Sequence, residues 1–123
     1  MRLAITTRGS NLDAPVDPRF GRAQAFVLYD TETDEWSVLD NIQNLKAAQG
    51  AGIQAASAVA KAGAKAVLTG NCGPRAFSTL SAAGIAVHTA ASGTVRDAIE
   101  AYKAGEFEVA AEANVEGHSA IGQ

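Results

Sequence analysis

Two carboxylates and two guanidiniums fall within one short run, Asp13-Ala-Pro-Val-Asp17-Pro-Arg19-Phe20-Gly-Arg22. The pair Asp13 and Asp17 has the composition for acid–base work or for holding a hard cation, and Arg19 and Arg22 have it for holding an anion. Aspartate beside proline is also ordinary turn chemistry, and Asp17 can pair with Arg19 or Arg22, so a structural role is the stronger reading for the acids. Pro15 and Pro18 fix φ and restrict the residues before them, which makes this connection stiff. A long loop inside a small domain is more often functional than decorative.

Three glycine-containing turns offer a second kind of chemistry. Gly70-Asn-Cys-Gly-Pro74, Ala91-Ser-Gly-Thr94 and Gly50-Ala-Gly52 each precede a helical pattern. Glycine lets backbone approach a ligand closely, and a helix start supplies unpaired N–H groups and a positive dipole end. With Arg8, Arg19, Arg22, Arg75 and Arg96 in or beside the connections, the combination suits an anion. A nucleotide is not favoured, because neither a G-x-x-x-x-G-K-[ST] loop nor a G-x-G-x-x-G turn is present. A bulky, soft anion such as a metal–sulfur cluster needs shape, arginines and at most a ligand or two. Cys72, in a turn beside a helix start, and His88, at a strand end, are the candidates for a direct bond. Each also has a plain reading, as a small turn residue and a surface histidine. His118, in a glycine-flanked tail, is a weaker candidate. No C-x-x-C or H-x-x-x-H spacing announces a zinc site.

The elements that must position these residues read coarsely from the pattern. Arg2–Thr6 and Ala25–Tyr29 are apolar strand-like runs, and Ala25–Tyr29 forms a hairpin with Trp36–Leu39 across the polar turn Asp30–Glu35. Asn41–Gly50 is a polar connection. Ile53, Ala56, Val59 and Ala60 recur at helical spacing, and a helix there ends at Gly63. Ala66–Leu68 is a buried strand, and Pro74 opens a helix lined by Phe77 and Leu80 and closed by Gly84. Ile85–Val87 is the next strand. Thr94 and Asp97 stand at capping-box spacing before a helix with the stripe Val95, Ala98, Ile99 and Tyr102. Phe107–Ala111 has the composition for an added edge strand, and Asn114–Gln123 is expected to be mobile.

The order predicts an α/β domain over residues 1–105, followed by a polar tail over 106–123. Right-handed crossovers make 3-2-1-4-5 the economical strand order, with the second strand antiparallel to the rest and three helices on the faces. The helix starts and the long loop then meet at the carboxyl edge of the parallel strands, where open α/β sheets bind ligands. His88 is expected to point into the same region as Cys72. That architecture is ribonuclease H-like, yet Arg2–Thr6 and Ala51–Lys61 hold no acid, so the clustered carboxylates of a two-metal nuclease are missing.

Composition bounds the rest. The 123 residues are 47% hydrophobic and 19% charged, a globular balance, and the net charge of −3 disfavours generic nucleic-acid binding. Acids crowd Asp30–Asp40 and the tail from Glu106. The single cysteine, the absence of a signal pattern and the absence of an apolar run near ~18 residues set a cytoplasmic, membrane-free expectation.

Four blocks, in order, carry a family resemblance: Pro15-Val-Asp-Pro-Arg-Phe-Gly-Arg22; Gly50-Ala-Gly-Ile-Gln54; Thr69-Gly-Asn-Cys-Gly-Pro74 with Ala76-Phe77; and Ala91-Ser-Gly-Thr-Val95. Together they resemble the dinitrogenase iron–molybdenum cofactor biosynthesis family, from about Met1 to Lys103. The resemblance implies a ribonuclease H-like fold without nuclease activity. It also implies non-enzymatic carriage of a molybdenum-containing metal–sulfur cluster, either an iron–molybdenum cofactor precursor or, as in the family's orange-protein branch, a molybdenum–copper sulfide held without a thiolate-rich cage. The expected site joins Arg19, Phe20 and Arg22 to Asn71 and Gly73 and to Ser92, Gly93 and Thr94, with Cys72 or His88 as a metal ligand and Phe77 as an apolar neighbour. A protein partner in delivery or regulation is part of the same expectation. The other readings are a protein-interaction module using the same loop edge without metal, and a small-anion sensor.

Overall fold

In the computed structural model, which describes residues 1–46 and 50–113, strand β1 (Arg2–Thr7) occupies the middle of a five-stranded sheet. Its residues after Arg2 are all buried, as befits a strand covered on both faces. The sheet order is β3-β2-β1-β4-β5, with β2 (Ala25–Asp30) antiparallel to both β1 and β3 (Trp36–Asp40). On the other side, β4 (Ala64–Leu68) pairs parallel with β1, and β5 (Ala86–His88) pairs parallel with β4. The order read from the sequence is the order observed.

Strand alternation divides the interior in two. Ala4, Phe26, Leu28, Val67 and Val87 face α2 (Ala51–Lys61) and α3 (Pro74–Ala82), packing with Val59 and Leu80. Leu3, Ile5, Val27, Tyr29 and Leu68 face α4 (Val95–Lys103), packing with Val95, Ala98 and Ile99. The helical stripe of α4 is buried as its spacing predicts, with Tyr102 half-buried. Thr94 caps α4 in a full capping box with Asp97.

The first four strands run one or two residues longer than the sequence reading, with β4 starting at Ala64 rather than Ala66, and three further details differ. The connection after β3 contains a single-turn helix, α1 (Ile42–Leu45), held by buried Asn41, which accepts at its carbonyl from Asn44 N. The last strand begins at Ala86 rather than Ile85 and includes His88. Residues 107–111 form no strand, although Ala110 N donates to the Val87 carbonyl at 2.8 Å, so the segment lies along the β5 edge. His118 and the rest of 114–123 lie outside the described residues.

Candidate functional site

The long loop between β1 and β2 is tied down along its whole length. Thr7 bridges to Val16, Pro15 bridges to Thr94, and Val16 N donates to Gly93 O at 2.9 Å. Arg19 bridges to Asn71, and Phe20 N donates to Asn71 O at 3.0 Å. Two close approaches set its height above the sheet. A Cβ on Gly70 would stand 3.0 Å from the Pro18 backbone, and one on Gly21 would stand 3.0 Å from the Gly52 Cα. Phe20 is 1% exposed, and its ring packs on Phe26 with centroids 5.4 Å apart, so it anchors the loop in the core.

Asp17 is the polar pin. Its carboxylate is buried, accepts from Arg19 N at 2.9 Å, and lies 3.7 Å from Arg8 Nε and 3.6 Å from Arg19 Nε. Asp17 N donates to Thr6 O, while Thr6 Oγ donates to Asp17 O at 2.6 Å and also reaches Thr69 Oγ at 3.0 Å. Asp13 pairs instead with Arg96 at 3.2 Å. Each carboxylate therefore serves an arginine, and the two form no acid–base or cation pair. Thr6 and Thr69, fully buried at the ends of neighbouring strands, belong to this pin. The sequence signal for them was only a threonine at a strand end.

Where the loop meets the α3 start, an open hollow of about 320 Å³ is lined by Arg19, Phe20, Gly21, Arg22, Asn71 and Gly73. The five residues Arg19, Phe20, Arg22, Asn71 and Gly73, expected to share a site, are thus brought together. Arg19 and Arg22 are exposed, and Arg75 stands exposed in the first turn of α3. Among the described residues, neither Arg22 nor Arg75 has an acidic partner within ion-pair distance. The N-caps of α2 and α3, Gly50 and Gly73, supply no side-chain cap, and neither helix has an acid in its first turn. Both helix starts therefore keep a positive end toward the loop.

Ser92, Gly93 and Thr94 are placed otherwise. The α4 start is filled from within the chain: Val95 N donates to Ala14 O at 2.9 Å, Arg96 N to Leu12 O at 2.8 Å, and Asp97 N to Thr94 Oγ at 3.1 Å. The Asp97 carboxylate accepts from Thr94 N at 3.0 Å and offsets the dipole. This turn clamps the loop and leaves no first-turn donor for an anion.

Cys72 and His88 do not meet. Cys72 is buried among the residues that face α2 and α3, and burial pushes its thiol up to about 11. His88 is buried on the opposite face of the sheet, with its ring 5.5 Å from Tyr102 and 6.0 Å from Phe107. Its Nδ1 lies 3.0 Å from the Glu108 carbonyl. The shared direction expected for the two side chains fails because His88 continues β5 and takes the alternation of that strand. Phe77 is half-buried against the core. Among the described residues, no three His, Cys, Asp or Glu side chains gather as a metal-ligand set. No helix of the described residues is long and apolar enough to cross a membrane.

The fold and hollow define a small ribonuclease H-like α/β domain with a loop-covered carboxyl edge that is basic and poor in metal ligands. The chain belongs to the dinitrogenase iron-molybdenum cofactor family, whose sequence profile matches residues 1–105. It is similar to the apo form of the orange protein from Desulfovibrio gigas, with 45% identity, a TM-score of 0.91, and coverage of 93% of this chain and 96% of that one. A NifB-like protein from Thermotoga is 36% identical, with a TM-score of 0.78 and coverage of 88% and 91%. A curated protein of Methanocaldococcus jannaschii with no assigned function is 28% identical over 110 residues, which is 88% of this chain and 90% of that protein.

Proposed function

We propose that the chain is a non-enzymatic carrier of an anionic, molybdenum-containing metal–sulfur cluster, received as cargo in the hollow between Arg19–Arg22 and Asn71–Gly73. The observation that carries this reading is that Arg19 and Arg22 line one hollow with Asn71 and Gly73, at the start of α3, a helix with neither a side-chain cap nor an acid in its first turn. Sulfide and oxo groups of such a cluster are acceptors for N–H donors, and guanidinium forks suit a spread-out negative charge. A cation or a thiolate-bound metal fits poorly, because the one thiol is buried and raised. The family and the likeness to the orange protein support a cofactor-related role. The candidate cargoes are an iron–molybdenum cofactor precursor and a molybdenum–copper sulfide.

The test is anaerobic incubation of the full chain with tetrathiomolybdate and copper(I), followed by gel filtration, metal and sulfide analysis and a visible spectrum. Stoichiometric, co-eluting colour is expected. The double variant Arg19→Ala/Arg22→Ala should retain cargo about tenfold more weakly. Because Arg19 also faces the buried Asp17 carboxylate, a loss of about 1 kcal/mol or more of stability accompanies it, and circular dichroism checks that the variant is folded. Retention unchanged in the folded double variant removes the arginines from the site. No retained metal in a folded parent chain favours a protein-interaction module instead.

A further inference from the structure

The two edges of the sheet are treated differently. The β5 edge is covered by the segment after α4, through Ala110 N to Val87 O at 2.8 Å and the Glu108 carbonyl at His88. Among the described residues, nothing covers the β3 edge. Asp30 N donates to Glu35 O and Asn41 N to Gln24 O, both at 2.9 Å, which sets the phase of the β2–β3 ladder. By alternation, Ser37 and Leu39 bond inward, while Trp36, Val38 and Asp40 direct their backbone N–H and C=O groups outward. Among the described residues no backbone group pairs with that outward side.

An open edge is usually blunted by lysine, proline or a bulge. Trp36-Ser-Val-Leu-Asp40 has none of these, and β3 pairs with β2 in unbroken register. Its apolar side chains stay uncovered instead: Trp36 is 42% exposed, Val38 39%, and Ile42 just beyond it 49%. A hollow flanks the edge on each face of the sheet. One, of about 390 Å³, is lined by Arg8, Ala25, Val38, Asp40 and Ile42 on the α4 side. The other, of about 180 Å³, is lined by Arg2, Leu28, Asp30, Glu35 and Ser37 on the side of α2 and α3, with Trp36, whose pairing with Tyr29 places its side chain on the α4 face, at its rim. Side chains of an added strand alternate between two faces, so one hollow waits for each set.

The exposed rim is acidic, with Glu35 and Asp40, while Glu32 beside it pairs with the Met1 amine at 3.2 Å. Of the nearby cations, Arg8 is paired with Asp17, while Arg2 donates to the Ala62 carbonyl at 2.5 Å and keeps its charge beside Asp30. We propose that β3 accepts an added strand from a partner protein, an extended segment alternating apolar with basic side chains. A second copy of β3 fits less well, since it would bring Glu35 and Asp40 of both chains to one seam. This surface lies on the opposite side of β1 from β4 and β5, and it does not depend on the cluster hollow.

Trp36 is the chain's single tryptophan, so its emission reports on this edge alone. The probe is an acetylated peptide of about seven residues alternating lysine with valine and threonine, long enough for one added strand. Its counterpart carries glutamate for lysine. The lysine peptide should shift Trp36 emission to the blue with saturation, and the glutamate peptide should leave it unchanged. Val38→Pro removes one outward N–H and keeps the inward ladder, since proline is tolerated on an edge. That variant should weaken binding about tenfold or more, as should Glu35→Lys/Asp40→Lys. The proposal is overturned by an absent shift, by equal responses to the two peptides, or by full affinity in either variant when circular dichroism shows it folded. A concentration-dependent dimer in sedimentation that Val38→Pro abolishes would assign the edge to a second copy and overturn it too.

Discussion

The starts of α3 and α4 look alike in sequence, since each follows a short glycine turn after a strand. In three dimensions they are opposites. At α4, loop carbonyls of Leu12 and Ala14, the Thr94 hydroxyl and the Asp97 carboxylate take up the first-turn N–H groups and the dipole. At α3, Gly73 provides no side-chain cap, no acid enters the first turn, and Arg75 adds positive charge. The same local motif therefore serves as a clamp in one place and as a candidate receiving site in the other. The long loop decides which, because it presents carbonyls to α4 and arginines toward α3.

The largest effect is expected where the loop touches the turn before α3. Gly70→Val would drive a side chain into the Pro18 backbone, which is 3.0 Å from a Cβ at that position. Backbone cannot yield as a flexible side chain can, so a loss of about 2–3 kcal/mol in urea unfolding is expected, together with lost cargo retention. Retention that survives with the full loss of stability would uncouple the loop from the receiving site.

Thr94→Ala tests the clamp directly. It should cost about 1 kcal/mol of stability and leave tetrathiomolybdate–copper retention unchanged. A matching fall in retention would make the two helix starts alike after all.

Acid should loosen the clamp by the same route. The Thr94 backbone N–H first, and then the Thr94 hydroxyl, hold the Asp97 carboxyl below the usual carboxylate range. A lowered folded value contributes stability that is complete above about pH 5 and is lost as pH falls through the folded value. Urea midpoints for Asp97→Asn should therefore fall less than the parent's between about pH 5 and pH 2. Parallel curves would place the acid sensitivity elsewhere, with Asp34 the next candidate, since Tyr29 and Lys103 lower its carboxyl.

The smallest effect is expected at Cys72. Its thiol, raised by burial to about 11, should resist iodoacetamide at neutral pH until the chain unfolds. Cys72→Ala should keep the parent's metal-to-protein ratio. A colourless but folded variant would restore the thiolate to the site and displace the arginines as its main holders.

Much of this was legible beforehand because it rests on local periodicity and on spacing. The strand order followed from alternating β and α patterns with right-handed crossovers. The Thr94–Asp97 cap followed from a three-residue interval. The run from Arg19 to Arg22 and the turn from Asn71 to Gly73 were legible as neighbours because both leave the same edge of the sheet. The single-turn helix after Asn41 was not, since its one turn has no repeat to detect and is held by the Asn41 carbonyl.

What the sequence determined by itself was the element order, the helix caps and the four blocks that mark the family, because neighbouring residues encode each of them. Tertiary structure alone decided which face each side chain joined. Extending β5 by one residue put His88 across the sheet from Cys72, since strand side chains alternate at every step. It also decided which helix start stayed open, because the carbonyls that close α4 come from Leu12 and Ala14, more than 80 residues away in the chain.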